Sequence, residues 1–155
     1  MSRLLYHPER LAGVCPAVCA FALWWAEHGP FPATIDPTGG VRTEAQQAEL
    51  YAAGRSKAKT LAETPHGRGG ALDLYPARVT AGRVAGIYLP TDGAASLERF
   101  ARYGELAEAH NLIWGGRWLK AFPPHGDCPH VELPSWRDLP FPPVIVPPYI
   151  KAKEA

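Results

Sequence analysis

The stretch Thr64-Pro65-His66-Gly67-Arg68-Gly69-Gly70-Ala71-Leu72-Asp73 decides how this chain is read. A histidine enters a glycine-rich turn, and a run of strand formers leaves it. Strand alternation puts Ala71, Asp73 and Tyr75 on one face and Leu72 and Leu74 on the other. An aspartate between two leucines on a core strand is costly unless it is paired or bound to a cation. The glycines let the turn fold back so that His66 and Asp73 converge. The strand is expected to run from Ala71 to Tyr75, with Pro76 ending it.

A second stretch has the same character: Asp127-Cys128-Pro129-His130-Val131-Glu132-Leu133. Val131 to Leu133 reads as a final core strand, and His130 and Glu132 share the face opposite Val131. His66, Asp73 and His130 together supply two imidazoles and one carboxylate. That set leaves the fourth tetrahedral position of a zinc ion open for water, as catalytic zinc sites require. Zinc lowers the pKa of such a water to about 7 and polarises a scissile carbonyl. A neighbouring carboxylate, Asp127 or Glu132, would take the water's proton and pass it to the leaving amine. Histidines are also common as plain core or surface residues, and spacing alone leaves both readings open.

Outward from these stretches, the pattern predicts three helices. Pro16 suits a first helical turn and Gly29-Pro30 a stop, so one helix runs from Pro16 to His28, apolar on most sides. Phe31 to Gly40 is a turn-rich connection with room for a short strand. Thr43 and Gln46 form a capping box for a second helix, which carries Leu50 and Tyr51 and ends before Gly54. Ile87 to Leu89 suggests another strand. Ser96 opens a third helix with Leu97, Phe100, Ala101, Gly104 and Ala107 at helical spacing, closed by Asn111. Beyond Pro134 the chain is proline-rich, including Phe141-Pro142-Pro143 and Pro147-Pro148, which predicts an extended tail over residues 134–155 after a domain over 1–133.

The bulk composition agrees with one folded α+β domain. The chain has 155 residues, 46% of them hydrophobic, and its 17 prolines and 15 glycines argue for substantial loops over a helical bundle. A formal net charge of +1 gives no electrostatic footprint for nucleic acid or for a polybasic membrane anchor. Leu11 to Ala26 is nearly all apolar, but Glu9 precedes it, Pro16 interrupts it and no small-x-small cleavage site follows. It is also shorter than the roughly 20 residues of a membrane span. A core helix is therefore expected, in a protein made in the cytoplasm without an export signal of its own. Cys15, Cys19 and Cys128 are odd in number and form no CxxC, so a fully paired disulfide framework is excluded.

With these residues in place the sequence resembles a known family, the zinc D-alanyl-D-alanine carboxypeptidases and L-alanyl-D-glutamate endopeptidases of bacteria and phages. Thr64 to Asp73 is similar to the family's Ser-x-His-x-x-Gly-x-Ala-x-Asp, with Thr64 in place of serine. Trp114-Gly115-Gly116-Arg117-Trp118 and Asp127 to Leu133 resemble its C-terminal block. Gly40-Val41-Arg42-Thr43, Gln47, Leu50-Tyr51 and Gly54-Arg55-Ser56 resemble its upstream segment. The resemblance runs from about Pro8 to Leu133. It implies an α+β fold of the hedgehog and D-Ala-D-Ala-peptidase type, with helices flanking a small antiparallel sheet that carries one zinc ion.

The resemblance further implies that His66, Asp73 and His130 bind the zinc and that Asp127 is the general base. Glu132 is the alternative base, and otherwise a partner behind His130. Arg42 would steer a substrate carboxylate or stabilise the oxyanion, which suits an always-charged guanidinium. Gln47 would line the site; Trp114 and Trp118 would wall the cleft, although either is equally readable as core. The implied substrate is the peptidoglycan stem peptide, cut by a monomeric phage-type lysis enzyme between L-alanine and D-glutamate. Cleavage of D-alanyl-D-alanine is the second reading, and a non-catalytic zinc-containing wall-binding domain is the third. The spacer Phe122-Pro123-Pro124-His125-Gly126 is longer than usual, and Cys128 and His125 stand near enough in sequence to compete for metal. A cysteine hydrolase built on Cys128 and His130 has no sign of an activated thiolate in its favour.

Overall fold

The computed structural model describes residues 3–145. Six strands form one sheet in the order β1-β2-β3-β6-β5, with β4 also paired to β3. The strands are β1 (Leu5–Tyr6), β2 (Ala33–Ile35), β3 (Ala71–Thr80), β4 (Arg83–Ile87), β5 (Ile113–Trp114) and β6 (His130–Glu132). All pairings are antiparallel except β1 with β2. Three helices accompany the sheet: α1 (Pro16–His28), α2 (Glu44–Ala52) and α3 (Ala94–Ala109). The architecture is thus the α+β class read from the sequence.

The helix boundaries follow local chemistry. Pro16 starts α1 where a missing N–H leaves nothing unpaired. Thr43 caps α2 through its hydroxyl, which accepts from the Gln46 N–H at 3.1 Å, while the Gln46 side chain accepts from the Thr43 N–H at 2.9 Å. Such a cap stabilises a helix by about 0.5–2 kcal/mol. Gly54, just past the end of α2, takes φ +71, the left-handed conformation that closes a helix. Helix α3 begins two residues before Ser96, because Ser96 is turned inward and buried, its hydroxyl donating to Leu89 O.

Three expectations need correction. Helix α1 is apolar around most of its circumference yet buries one stripe, Val18, Phe21, Ala22 and Trp25, against the sheet and α3. Of its other apolar residues, Leu23, Trp24 and Ala26 are half-buried, and Ala17 and Ala20 are exposed. The strand expected at Ile87–Leu89 lies earlier, at Arg83–Ile87. Pro76, finally, does not end its strand. Along one edge of β3, Leu72 pairs with Val131 of β6 and the Leu74 N–H bonds Pro129 O. Further on, β4 takes over that edge, from Ala77 opposite Ile87 onward, and the Tyr88 N–H bonds Pro76 O. Alternation aims the Pro76 nitrogen at the gap between these two partners, so its missing N–H leaves no ladder bond broken. Strand β3 therefore carries Asp73 toward one end and a hairpin at the other. That hairpin turns at Ala81 (φ +51) and Gly82 (φ +73), the primed geometry of two-residue hairpin loops.

The core gathers Phe21, Trp25, Ile35, Leu72, Leu74, Phe100, Tyr103 and Val131, all essentially buried. Aromatic contacts tie α1 to α3, with the rings of Phe21 and Tyr103 at 5.8 Å and those of Trp25 and Tyr103 at 5.7 Å. Burying one such side chain stabilises the fold by about 1.5–3 kcal/mol. The segment after Leu133 folds back in a short turn over Trp136–Asp138, and Trp136 is buried. The Arg68 guanidinium donates to Leu139 O at 2.8 Å and holds this segment to the glycine-rich turn. Pro147-Pro148 lies outside the described residues. Among the described residues no helix is long and apolar enough to cross a membrane.

Candidate metal centre and cleft

The glycine-rich turn owes its shape to Thr64. Its hydroxyl donates to Leu61 O at 2.9 Å and accepts from the Gly67 N–H at 2.8 Å, which places His66 at the start of the turn. His66 is 3% exposed, and its Nδ1 lies 3.0 Å from Gly40 O. A carbonyl can only accept, so Nδ1 carries the hydrogen and Nε2 presents its lone pair. His130 sits at the start of β6, opposite Asp73 in the ladder. Its Nε2 lies 2.9 Å from Glu132 Oε2, which assigns the hydrogen to Nε2 and turns Nδ1 inward.

The three donor atoms form a nearly equilateral triangle. His66 Nε2 and His130 Nδ1 are 3.2 Å apart, His66 Nε2 and Asp73 Oδ1 3.3 Å, and His130 Nδ1 and Asp73 Oδ1 3.2 Å. Tetrahedral ligands placed about 2.0–2.1 Å from zinc are separated by about 3.3–3.4 Å. The spacing and the mixed nitrogen and carboxylate set therefore fit a zinc ion bound from three sides. Among the described residues these are the only His, Cys, Asp and Glu side chains that converge in this way. His125 and Cys128 stand apart from them. The Cys128 thiol donates to His125 O, and burial, then the charge of Asp127, raise its pKa to about 11. A thiol so protonated is not an activated nucleophile at neutral pH.

Electrostatics bind the triad together. Burial alone would raise the Asp73 carboxyl, but His66 and His130 hold it well below the usual carboxylate range. Burial would lower His130, yet hydrogen bonds to Asp73 and Glu132 outweigh it and raise the imidazole to about 10. Asp127 stands beside the triad with Oδ2 4.0 Å from His130 Nδ1 and its side chain a third exposed. Burial first, then the neighbouring charge of Asp73, raise its carboxyl above the ordinary range. A partly desolvated carboxylate of raised basicity is the kind of group that moves protons.

The remaining sequence-predicted residues divide. Arg42 lines the cleft, and its guanidinium donates to Asp73 Oδ2 at 3.3 Å, Thr38 O at 2.9 Å and Gln47 Oε1 at 3.4 Å. Two of its five N–H groups remain unassigned. Gln47, expected to line the site, is fully buried and lies behind Arg42, its amide donating to Ser56 Oγ and Ala58 O. It braces the guanidinium and the following loop and does not reach the cleft. Trp114, expected as a wall, is core. Its indole fits between Gly104 and Gly116, where any Cβ would collide with the ring, and its N–H donates to Cys128 O at 2.8 Å. It thus fixes the segment that delivers Asp127 and His130. Trp118 does wall the cleft, with its ring 5.2 Å from that of His130.

The cleft over the triad has a volume of about 350 Å³. Lys57, Trp136 and Arg137 also line it, and none was singled out from the sequence. The available signal was the turn-forming Pro134-Ser135 directly after the last strand, which bends the following residues back toward the site.

Comparison with known proteins agrees with this geometry. The family model described as D-alanyl-D-alanine carboxypeptidase matches residues 57–133, which include all three triad residues and Asp127. The crystal structure of the L-Ala D-Glu endopeptidase ChiX of Serratia marcescens superposes with a TM-score of 0.52. The two sequences are 23% identical, and the match covers 81% of this chain and 84% of that one. No curated protein matches the chain. Residues 57–133, about half of the chain, thus match the D-alanyl-D-alanine carboxypeptidase family, and the fold is the one seen in that endopeptidase.

Proposed function

We propose that this protein is a zinc-dependent peptidoglycan peptidase that hydrolyses the bond between L-alanine and D-glutamate in the stem peptide. The observation that carries the reading is the triangle of His66 Nε2, Asp73 Oδ1 and His130 Nδ1, with Asp127 beside it at the floor of a cleft. Similarity to an L-Ala D-Glu endopeptidase over most of both chains supports the choice of bond. Zinc held by these three residues would supply a Lewis acid and a water of lowered pKa.

The chain's own groups do the rest. Asp127 takes a proton from the attacking water and delivers it to the leaving nitrogen. Glu132 keeps His130 in the tautomer whose Nδ1 faces the ion, and Gly40 O does the same for His66. Arg42 holds Asp73 in place, and its two remaining N–H groups serve the substrate's carbonyl or carboxylate. Trp118 shields one side of the reacting bond from water. This chemistry gives the protein a place in cell-wall lysis, of the kind phage endolysins perform.

The test is mass spectrometry of purified peptidoglycan digested with and without a chelator. The expected product is a stem peptide with a new D-glutamate N-terminus, absent when chelator is present. Loss of a terminal D-alanine alone would move the assignment to carboxypeptidase, as the matched family model is described. Bound zinc with no new product would sink the enzymatic reading and leave a wall-binding domain.

A further inference from the structure

The rim of the cleft carries more positive charge than its floor accounts for. Arg55 and Lys57 enter from the loop after α2, and Arg137 enters from the fold-back after β6. Arg42, the fourth cation lining the cleft, is bound to Asp73. Among the described residues, Arg55, Lys57 and Arg137 make no ion pair with any carboxylate.

Two of the three are nevertheless held by aromatic rings. Arg137 lies over the buried Trp136 ring at 4.3 Å, and Lys57 lies over Phe122 at 5.8 Å. Trp136 in turn packs against Gly70, directly between His66 and Asp73 in sequence, so Arg137 is tied to the turn that builds the triad. Glu63, Asp127 and Glu132 also line the cleft, yet none is ion-paired with these three cations, and unpaired cations pre-positioned on a concave surface are arranged for an anionic ligand.

We infer that Arg55, Lys57 and Arg137 form a carboxylate-reading subsite that makes the enzyme selective for stem peptides whose glutamate keeps a free carboxylate over those in which it is amidated. The inference rests on the proposed L-Ala–D-Glu cleavage. Chemistry connects the two: a glutamate joined to the next residue through one of its carboxyls keeps the other, immediately beside the scissile bond. Capped as an amide, the same peptide has the same shape and has lost the charge. Arg55 and Arg137 offer planar forks for a carboxylate, and Lys57 a mobile point charge.

Two synthetic L-Ala–D-Glu–L-Lys peptides test this, one with the free glutamate carboxylate and one with it capped as a carboxamide. Each is also made with a non-cleavable ketomethylene in place of the scissile amide. Turnover is followed with the cleavable pair and affinity by calorimetry with the isosteres, on the zinc-loaded full chain. The expected result is about 5–50-fold tighter binding of the carboxylate form, the range for one or two partly exposed charge-assisted contacts. Arg55→Gln, Lys57→Gln and Arg137→Gln should each narrow that ratio with zinc content kept, and the triple variant should bring it to about one. Equal affinity for the two isosteres, or variants that weaken both forms by the same factor, would overturn the subsite. Carboxylate preference without cleavage of either amide peptide would keep the subsite and overturn the endopeptidase reading instead.

Discussion

The floor and the rim of the cleft are built by opposite means. On the floor the three triad residues and the guanidinium beside them are held from behind: His66 by Gly40 O, His130 by Glu132, Asp73 by Arg42, and Arg42 by Thr38 and Gln47. The rim has no such second layer. Arg55, Lys57 and Phe122 are exposed, and cation–π contacts of Lys57 with Phe122 and Arg137 with Trp136 substitute for ion pairs. The floor can therefore keep donor atoms within a few tenths of an ångström of a metal's requirement, while the rim adapts to what is brought in. Reaction and selectivity are separated into a rigid layer and a soft one, as expected when functional loops stand on a fixed scaffold.

The largest effect should come from breaking the floor itself. His66→Ala removes one corner of the triangle, and the variant should show neither bound zinc by elemental analysis nor turnover. Asp127→Asn tests a residue beside the triangle and outside it; kcat should fall about 10²–10⁴-fold with zinc retained, the usual worth of a positioned general base. Zinc lost together with turnover would mean that Asp127 is a ligand. Glu132→Gln probes the layer behind the floor. Zinc affinity should weaken about 10–100-fold, the usual cost of losing a carboxylate behind a ligating histidine, with turnover largely recovered at saturating zinc.

The smallest and finest test is protonic. His130, raised to about 10 in the metal-free protein, is charged at neutral pH and must give up its Nδ1 proton to a cation. Zinc loading between about pH 7 and pH 9 should thus release about one proton, read by calorimetry in buffers of different ionisation enthalpy. Apparent affinity should rise with pH across that window and level off above the His130 pKa. Proton release near zero would mean that His130 does not contribute Nδ1.

Sequence and structure agree most closely where local chemistry is self-sufficient. The Thr43–Gln46 box and the Pro16 start of α1 are each written in residue type and spacing, whereas spacing alone left the His66, Asp73 and His130 set open and the family resemblance singled it out. What spacing does not encode is depth. Gln47 and Trp114 have the composition of cleft residues, yet one is a buried brace and the other a core wedge, because Arg42 and the Gly104–Gly116 slot reach them first. Pro76 reads as a strand terminator because its neighbours on the sheet edge are non-local, and only the handover from β6 to β4 makes a proline harmless there. Arg137 escapes notice for a related reason, since it reaches the cleft only through a fold-back anchored by the Arg68–Leu139 hydrogen bond, whose partners stand 71 positions apart.

That handover also makes β3 modular. Residues 71–73 belong to the metal floor, whereas 77–80 belong to a hairpin whose tip, Ala81-Gly82, is exposed and has open space around Gly82. A sequence inserted at that tip would lengthen the hairpin away from the reacting groups and leave the Asp73–His130 register alone. The tip is consequently the natural graft point for an added targeting module, one that would bring this peptidase to a chosen wall while its catalytic geometry stays as it is.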